Sequence, residues 1–397
     1  MKPLLLRKFT ATSSIGKGVT ATLESLIEQR SGLKNCQFET VDIATHVGEV
    51  AGVDDQRLPE SLQKFECRNN RLAELALRQD GFFEAVEQAA ERWGRRRVGV
   101  FLGTSTAGIL QTELAYRERD PVSGALPPSF EYGSTHNSFS VADYVRQRCR
   151  LNGPAVAVSC ACASSAKVFG SARRMIEAGL IDAALVGGVD SLCLTTLYGF
   201  HSLQLTSPTP CRPFDAARDG ISIGEAAAFA ILERVPERVD GGSVLLLGIG
   251  ESSDAYHMSA PHPEGLGARR AMQAALTAAA LEPGDIDYIN LHGTGTPSND
   301  RSESQAVTSV FGPTTPCSST KGATGHTLGA AGALEAVISA LALAHGLMPG
   351  GLHTTRIDPT LTAHYIRDNR RAPIMRVLSN SFGFGGTNCS LIFGRAE

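Results

Sequence analysis

The chain has 397 residues and a formal net charge of −3, enough length for two structural units and no basic excess of the kind a nucleic-acid binder carries. Its nine cysteines are scattered and odd in number, which fits a reducing compartment better than a disulfide framework. The apolar run at Leu4–Leu6 is too short for a signal peptide and no stretch reads as a membrane span, so a cytoplasmic protein is expected.

A first strand is predicted from Leu4 to Ala11, then a Gly-marked turn at Ile15–Gly18 and a helix over Thr20–Arg30. The pattern from Leu62 to Leu77 is helical throughout and places Lys64, Arg68 and Arg71 on one face. A second helix, Gly81–Trp93, leads through Arg95–Arg97 into the strand VGVFLG and a small-residue loop ending at Gly108. The same shape, an apolar strand running into a Gly/Ser/Thr loop, recurs at AVAVSCACASS, YINLHGTGTP and PCSSTKGATGH. Repeated strand-helix units with small-residue loops at the strand ends predict α/β layering, with a site at the carboxyl ends of strands.

The stretch from Ala155 to Leu180 reads as a buried strand, a corner bearing Cys160 and Cys162, and a helix stopped by Gly179. Cys162 lies at the helix start, where unpaired N–H groups and the macrodipole favour a thiolate. Strands follow at Asp182–Leu192 and at the end of the Cys211–Glu233 segment, and Pro236–Gly242 is the predicted boundary. It divides residues 1–240, carrying Cys162, from residues 241–397, which carry His292, His326 and Lys321.

Both histidines stand in Gly/Thr-rich loops that cannot fill a core, and neither has zinc-site spacing. One cysteine and two neutral imidazoles suit formation of an acyl thioester on sulfur, followed by stabilisation of the enolate of a second thioester. In this scheme the histidines serve the second half-reaction and not the acylation of Cys162. The segment VLSNSFGFGGTNCSLIF adds a glycine hinge around Phe382 and Phe384 that lets a backbone N–H approach a reacting carbonyl.

The cysteine corner, CRPFDAARDG, HGTGTP, KGATGHTLGAAG and SFGFGGTN, in that order, resemble the β-ketoacyl-acyl carrier protein synthases of the thiolase superfamily, elongating type II condensing enzymes. The resemblance runs nearly end to end and implies a five-layered αβαβα fold of two related halves, normally a dimer. It implies that Cys162 is the acylated nucleophile and that its N–H and that of Phe384, also a gating aromatic beside Phe382, form an oxyanion hole. His292 and His326 would support decarboxylation of a malonyl thioester, and Lys321 would organise the site electrostatically with Glu303, supported by Asp300. Thr294 and Thr296 would bind pantetheine and the malonyl carboxylate. A structural monovalent cation is implied near Asn290, Glu335, Ser379 and Asn380. No cofactor is required, because phosphopantetheine arrives on the carrier protein. The helix with Lys64, Arg68 and Arg71 resembles the family's carrier-docking helix, with Arg95–Arg97 as the second choice.

The corner and the DSLCLTTLYGF segment look most like synthases of aryl polyene pathways, which pair with a chain-length-factor-like subunit, so both a homodimer and such a heterodimer stand as expectations. Cys160 occupies a place where relatives commonly have threonine, and Ser165 one where many have glycine. An inactive partner subunit is disfavoured by retention of Cys162. A degradative thiolase is disfavoured because Cys389 is followed by Ser390 and Leu391.

Overall fold

The computed structural model describes residues 1–396. Two copies of one five-strand pattern make the core. In the first, β1 (Leu4–Ser13), β2 (Val98–Gly103), β3 (Ala155–Val158), β4 (Ala183–Asp190) and β5 (Ala226–Arg234) lie in the order β3-β2-β4-β5-β1. In the second, β6 (Val244–Ser253), β7 (Tyr288–Asn290), β8 (Pro316–Ser318), β9 (Arg376–Gly383) and β10 (Thr387–Arg395) repeat it as β8-β7-β9-β10-β6. The sense repeats too: the second strand of each copy is parallel to the third and fourth, and the remaining pairs are antiparallel. The copies join where β1 meets β6 at Leu4↔Leu246 and Leu5↔Leu245.

Strand residues alternate between faces, so each sheet supplies two different apolar surfaces. Val100, Leu102, Leu185 and Ile231 meet α1 (Arg68–Leu77), α2 (Phe82–Trp93) and α3 (Ser140–Arg148) on the outside. Their neighbours Phe101, Val186, Ala230 and Leu232 face inward to α4 (Ser164–Glu177). In the second copy Ile289, Leu378 and Ile392 face α5 (Leu266–Ala279) and α6 (Pro297–Phe311), whereas Tyr288, Val377, Leu391 and Phe393 face inward. Between the sheets α4 packs on α7 (Ala331–His345), the helix that follows the third strand of the second copy. Helices, sheet, helices, sheet, helices give the five layers of a thiolase-like fold.

Three expectations change. The segment Leu328–His345 is long and apolar enough to cross a membrane by composition, with mean hydropathy 1.6, but 89% of it is buried as the central helix of this core. The single helix expected over Leu62–Leu77 is broken: a 3-10 helix covers Glu60–Phe65, Glu66 and Cys67 are extended, and α1 starts at Arg68. Lys64 is therefore out of register with Arg68 and Arg71. The first strand runs two residues beyond its expected end, to Ser13, and turns into a short hairpin with Gly16–Lys17.

Candidate active site

The site lies where third strands and central helices of the two halves meet. β3 ends at Val158, and Ala163 caps α4, so Cys162 precedes the first helical turn. The corner is tight. Ala161 takes a left-handed φ of 54°, a conformation costing roughly 1–2 kcal/mol, and Ser164 Oγ holds it by accepting from Cys160 N (2.9 Å) and donating to Ala161 O (2.5 Å). In the second half, β8 gives way to a one-turn helix, Lys321–Thr324, and then to His326. His326 is pinned at both ends to the first half, its N–H donating to Ser222 O (2.7 Å) and its carbonyl accepting from Gly224 N (3.0 Å). His292 follows β7, and Glu303 of α6 fixes that turn by accepting from His292 N (2.8 Å) and Gly293 N (2.7 Å).

These turns converge. His326 Nε2 lies 3.1 Å from Cys162 Sγ, and the two imidazoles stand edge to face with centroids 5.2 Å apart. The ligand atoms of Cys162, His292 and His326 all lie within 4.8 Å of one another. All three side chains are buried, at 6, 2 and 2% exposure. A pocket reaches them, lined at its base by Cys162, His292, His326 and Phe382 and toward its mouth by Phe200, Phe384, Pro261 and Asn299. Thr294 and Thr296 line its side with their hydroxyls 2.9 Å apart, and Thr296 also caps α6.

The electrostatics differ from the expectation for sulfur. Burial pushes the Cys162 thiol up to about 12, opposed by Lys321 and by the N–H groups of Phe384 and of Cys162 itself, while Asp190 raises it further. The helix start does not outweigh the loss of water, so the resting group is a thiol. The two N–H groups expected to form an oxyanion hole are the two that reach this sulfur. Burial holds His292 well below the usual imidazole range, helped by Lys321 and His326, and holds His326 there with help from Lys321. Both rings are neutral. Lys321 Nζ donates to His292 O (2.5 Å) and faces His292 Nδ1 at 3.5 Å, which leaves the ring proton on Nε2, toward the pocket. Among the described residues His326 Nδ1 has no partner, and Nε2 faces the Cys162 thiol, from which it accepts.

Three site expectations are corrected. Lys321 pairs with Glu335 of α7, not with Glu303, whose carboxylate is taken by the His292 turn and by Asn380 Nδ2 (3.2 Å). Burial pushes both glutamates up to about 7. Asp300 is wholly buried and braces the next turn, accepting from Phe214 N (2.8 Å) and Gly295 N (3.2 Å). For the expected monovalent cation, the Asn290 amide and Glu335 Oε2 are buried with no partner, and Ser379 lies beside Asn290 in register, so these three fit. The Asn380 side chain does not: it faces the outer layer, bound to Glu303 and Ser390.

The third correction concerns docking. Arg68 is 5% exposed and bound to Glu225 (2.7 and 2.9 Å) and Asp54 (2.8 Å), so it cannot meet a partner. Arg71 is engaged by Glu66, and of the three only Lys64 is free on the surface, its ammonium over the Phe65 ring at 4.9 Å. Arg95 and Arg97 latch the start of β2, to Glu87 and Asp182 respectively. Asp190, Ser105 and Ser164 were missed in the sequence. Asp190 carried one signal, a carboxylate ending an apolar strand.

Residues 9–238 match the family described as beta-ketoacyl synthase, N-terminal domain, and residues 244–355 its C-terminal domain. The 3-oxoacyl-[acyl-carrier-protein] synthase 2 of Staphylococcus aureus is 30% identical over 100% of this chain and 99% of its own length. The protein of that name from Rhizobium meliloti is 39% identical over 75% of this chain and 74% of its own. Among solved structures, the chain is similar to a ketosynthase (ApeO) in complex with its chain length factor (ApeC) from Xenorhabdus doucetiae, with TM-score 0.90 and 38% identity, covering 100% of this chain and 98% of that one. A beta-ketoacyl synthase from Burkholderia phymatum gives 0.87 and 30%, with both chains fully covered.

Proposed function

The chain belongs to the β-ketoacyl synthase family, and we propose that it joins an acyl group held on Cys162 to malonyl-acyl carrier protein by decarboxylative Claisen condensation. The observation that carries this reading is the convergence of Cys162 Sγ, two neutral imidazoles and two backbone N–H groups at the base of one pocket.

On this reading the geometry supports each step. An acyl thioester enters the pocket on the carrier's pantetheine arm. Expected from the sequence to serve only the second half-reaction, His326 lies with Nε2 3.1 Å from the sulfur and so takes the Cys162 proton as sulfur attacks the carbonyl, and the N–H groups of Cys162 and Phe384 hold the oxyanion. The tetrahedral intermediate collapses, the pantetheine thiolate leaves with the proton from His326, and Cys162 is acylated. Malonyl thioester then loses CO2, and the electron pair becomes an enolate whose oxygen accepts from His292 Nε2–H and from His326 Nε2–H, the His326 ring proton having moved to Nε2 once the acylated sulfur no longer donates to it. That carbon attacks the Cys162 thioester, the C–C bond forms, the C–S bond breaks, and the leaving thiolate takes up a proton from water, which restores the thiol. Lys321 keeps His292 in the donating tautomer, and its pairing with Glu335 keeps a buried ammonium compensated.

No cofactor of its own is needed for these steps; phosphopantetheine comes with the carrier. Asn290, Ser379 and Glu335 would hold a monovalent cation that supplies a partner for Asn290 Oδ1 and for the Glu335 Oε2 atom left free by the Lys321 pair. The narrower reading is elongation in an aryl polyene type of pathway, in the cytoplasm, as a heterodimer with a chain-length-factor-like subunit. Its support is the 38% identity to a ketosynthase solved with its chain length factor. Intact-mass analysis after incubation with a panel of acyl-carrier proteins tests the function. Acyl adducts on wild type and none on Cys162→Ala are expected, and no adduct from any carrier would remove the reading. Repeating the panel with and without a chain-length-factor-like subunit separates heterodimer from homodimer.

A further inference from the structure

Asp190 ends β4, is wholly buried and, among the described residues, is bound by neutral donors alone. Its Oδ1 accepts from Thr104 Oγ1 (2.7 Å), Ser105 N (2.7 Å), Thr106 N (2.9 Å) and Thr106 Oγ1 (2.9 Å). Its Oδ2 accepts from Gly329 N at 2.5 Å. The first set fixes the turn after β2, whose Ser105 Oγ donates to Ala161 O (3.1 Å), the carbonyl just before Cys162. The second fixes the backbone three residues beyond His326. The approach is close: a Cβ on Gly329 would come within 2.6 Å of Ser105 Oγ and 2.8 Å of Asp190 Oδ2.

We propose that Asp190 is a positioning residue that registers the Cys162 turn of the first half against the His326 loop of the second. The inference rests on Cys162 and His326 being the reacting pair. Every contact to the carboxylate comes from a donor, so only an anion satisfies all of them. An asparagine has to turn its NH2 group toward either Gly329 N–H or the Ser105/Thr106 amides, donor against donor, and one of the two turns loses its anchor. The ionisable groups facing the sulfur are His326, His292, Lys321 and Asp190. Of these, Asp190 is the carboxylate; burial raises its pKa and the Thr104, Ser105 and Thr106 donors oppose that shift, and its charge disfavours the thiolate through space. Removing its charge therefore makes the thiol more acidic while the loss of register slows acyl transfer.

The test measures two quantities in wild type, Asp190→Asn and Ser105→Ala: the pH midpoint of Cys162 alkylation by iodoacetamide, and kcat and KM for condensation with carrier-bound substrates. Asp190→Asn should lower the midpoint and cut kcat ~10- to 100-fold with KM nearly unchanged. Ser105→Ala, which breaks only the link to Ala161, should lower kcat and leave the midpoint in place. Wild-type kcat or an unmoved midpoint in Asp190→Asn overturns the proposal; should that variant not fold, wild-type kcat in Ser105→Ala overturns it. Failure of the wild-type chain to condense at all would instead strike the functional reading, because alkylation does not depend on it.

Discussion

Replacing His326 by alanine removes the nearest base to a thiol whose pKa burial has pushed up to about 12, and the loss can be sized. With a pKa of about 12, a thiol without a base is ionised to only ~10⁻⁵ at neutral pH, against ~10⁻² for an ordinary exposed thiol. A positioned base that takes the proton during attack contributes ~10²- to 10⁴-fold. His326→Ala should therefore slow transfer of the acyl group from its carrier to Cys162 by that factor near pH 7. The pH dependence separates causes. In wild type the imidazole is held well below its usual range, so it stays a free base through neutral pH and the acylation rate is nearly flat there. In the variant the rate depends on pre-formed thiolate and should climb about tenfold per pH unit up to the thiol's own pKa. His292→Ala, whose lost Nε2–H serves the enolate, should keep acylation near wild type and lose decarboxylation ~10²- to 10³-fold. Intact-mass time courses of acyl loading across pH, with CO2 release measured separately, read both. Wild-type acylation by His326→Ala at neutral pH would refute the reasoning.

Arg68→Glu should lower the melting temperature sharply, since a buried ion pair broken on one side costs ~3–5 kcal/mol and here leaves Glu225 uncompensated; an unchanged melt would mean that Arg68 is solvated and free to dock a carrier. Peptide mapping after an alkylating inhibitor should find the label on Cys162, which lines the pocket with both N–H donors, and label on Cys160 alone would reverse the assignment. Thermal melts in potassium or sodium chloride should exceed those in a bulky-cation chloride of equal ionic strength, and Asn290→Leu should erase the difference; equal melts for wild type in all three salts would leave Asn290 and Glu335 without a shared ion.

The residues of the reacting centre were legible because each is announced by its own neighbours. A strand running into a helix through Cys162, and histidines in loops too rich in glycine and threonine to fill a core, are local patterns, and the order of motifs identified the family across the chain. What touches what at long range along the chain is another matter. A helical period seemed to align Lys64, Arg68 and Arg71, yet the chain breaks at Glu66 and the Glu225 carboxylate, 157 positions away, takes Arg68 inside. Lys321 chose Glu335 over Glu303 because α7 packs against the same face as the His292 turn, while Glu303 is consumed by backbone donors. The state of the sulfur was decided in the same way: the sequence shows a helix start that favours a thiolate, but only the assembled layers remove the water, and desolvation is the larger effect. Sequence by itself picked out the side chains that converge in the pocket; tertiary structure decided their partners, protonation and exposure, because those depend on burial against residues far away in the chain.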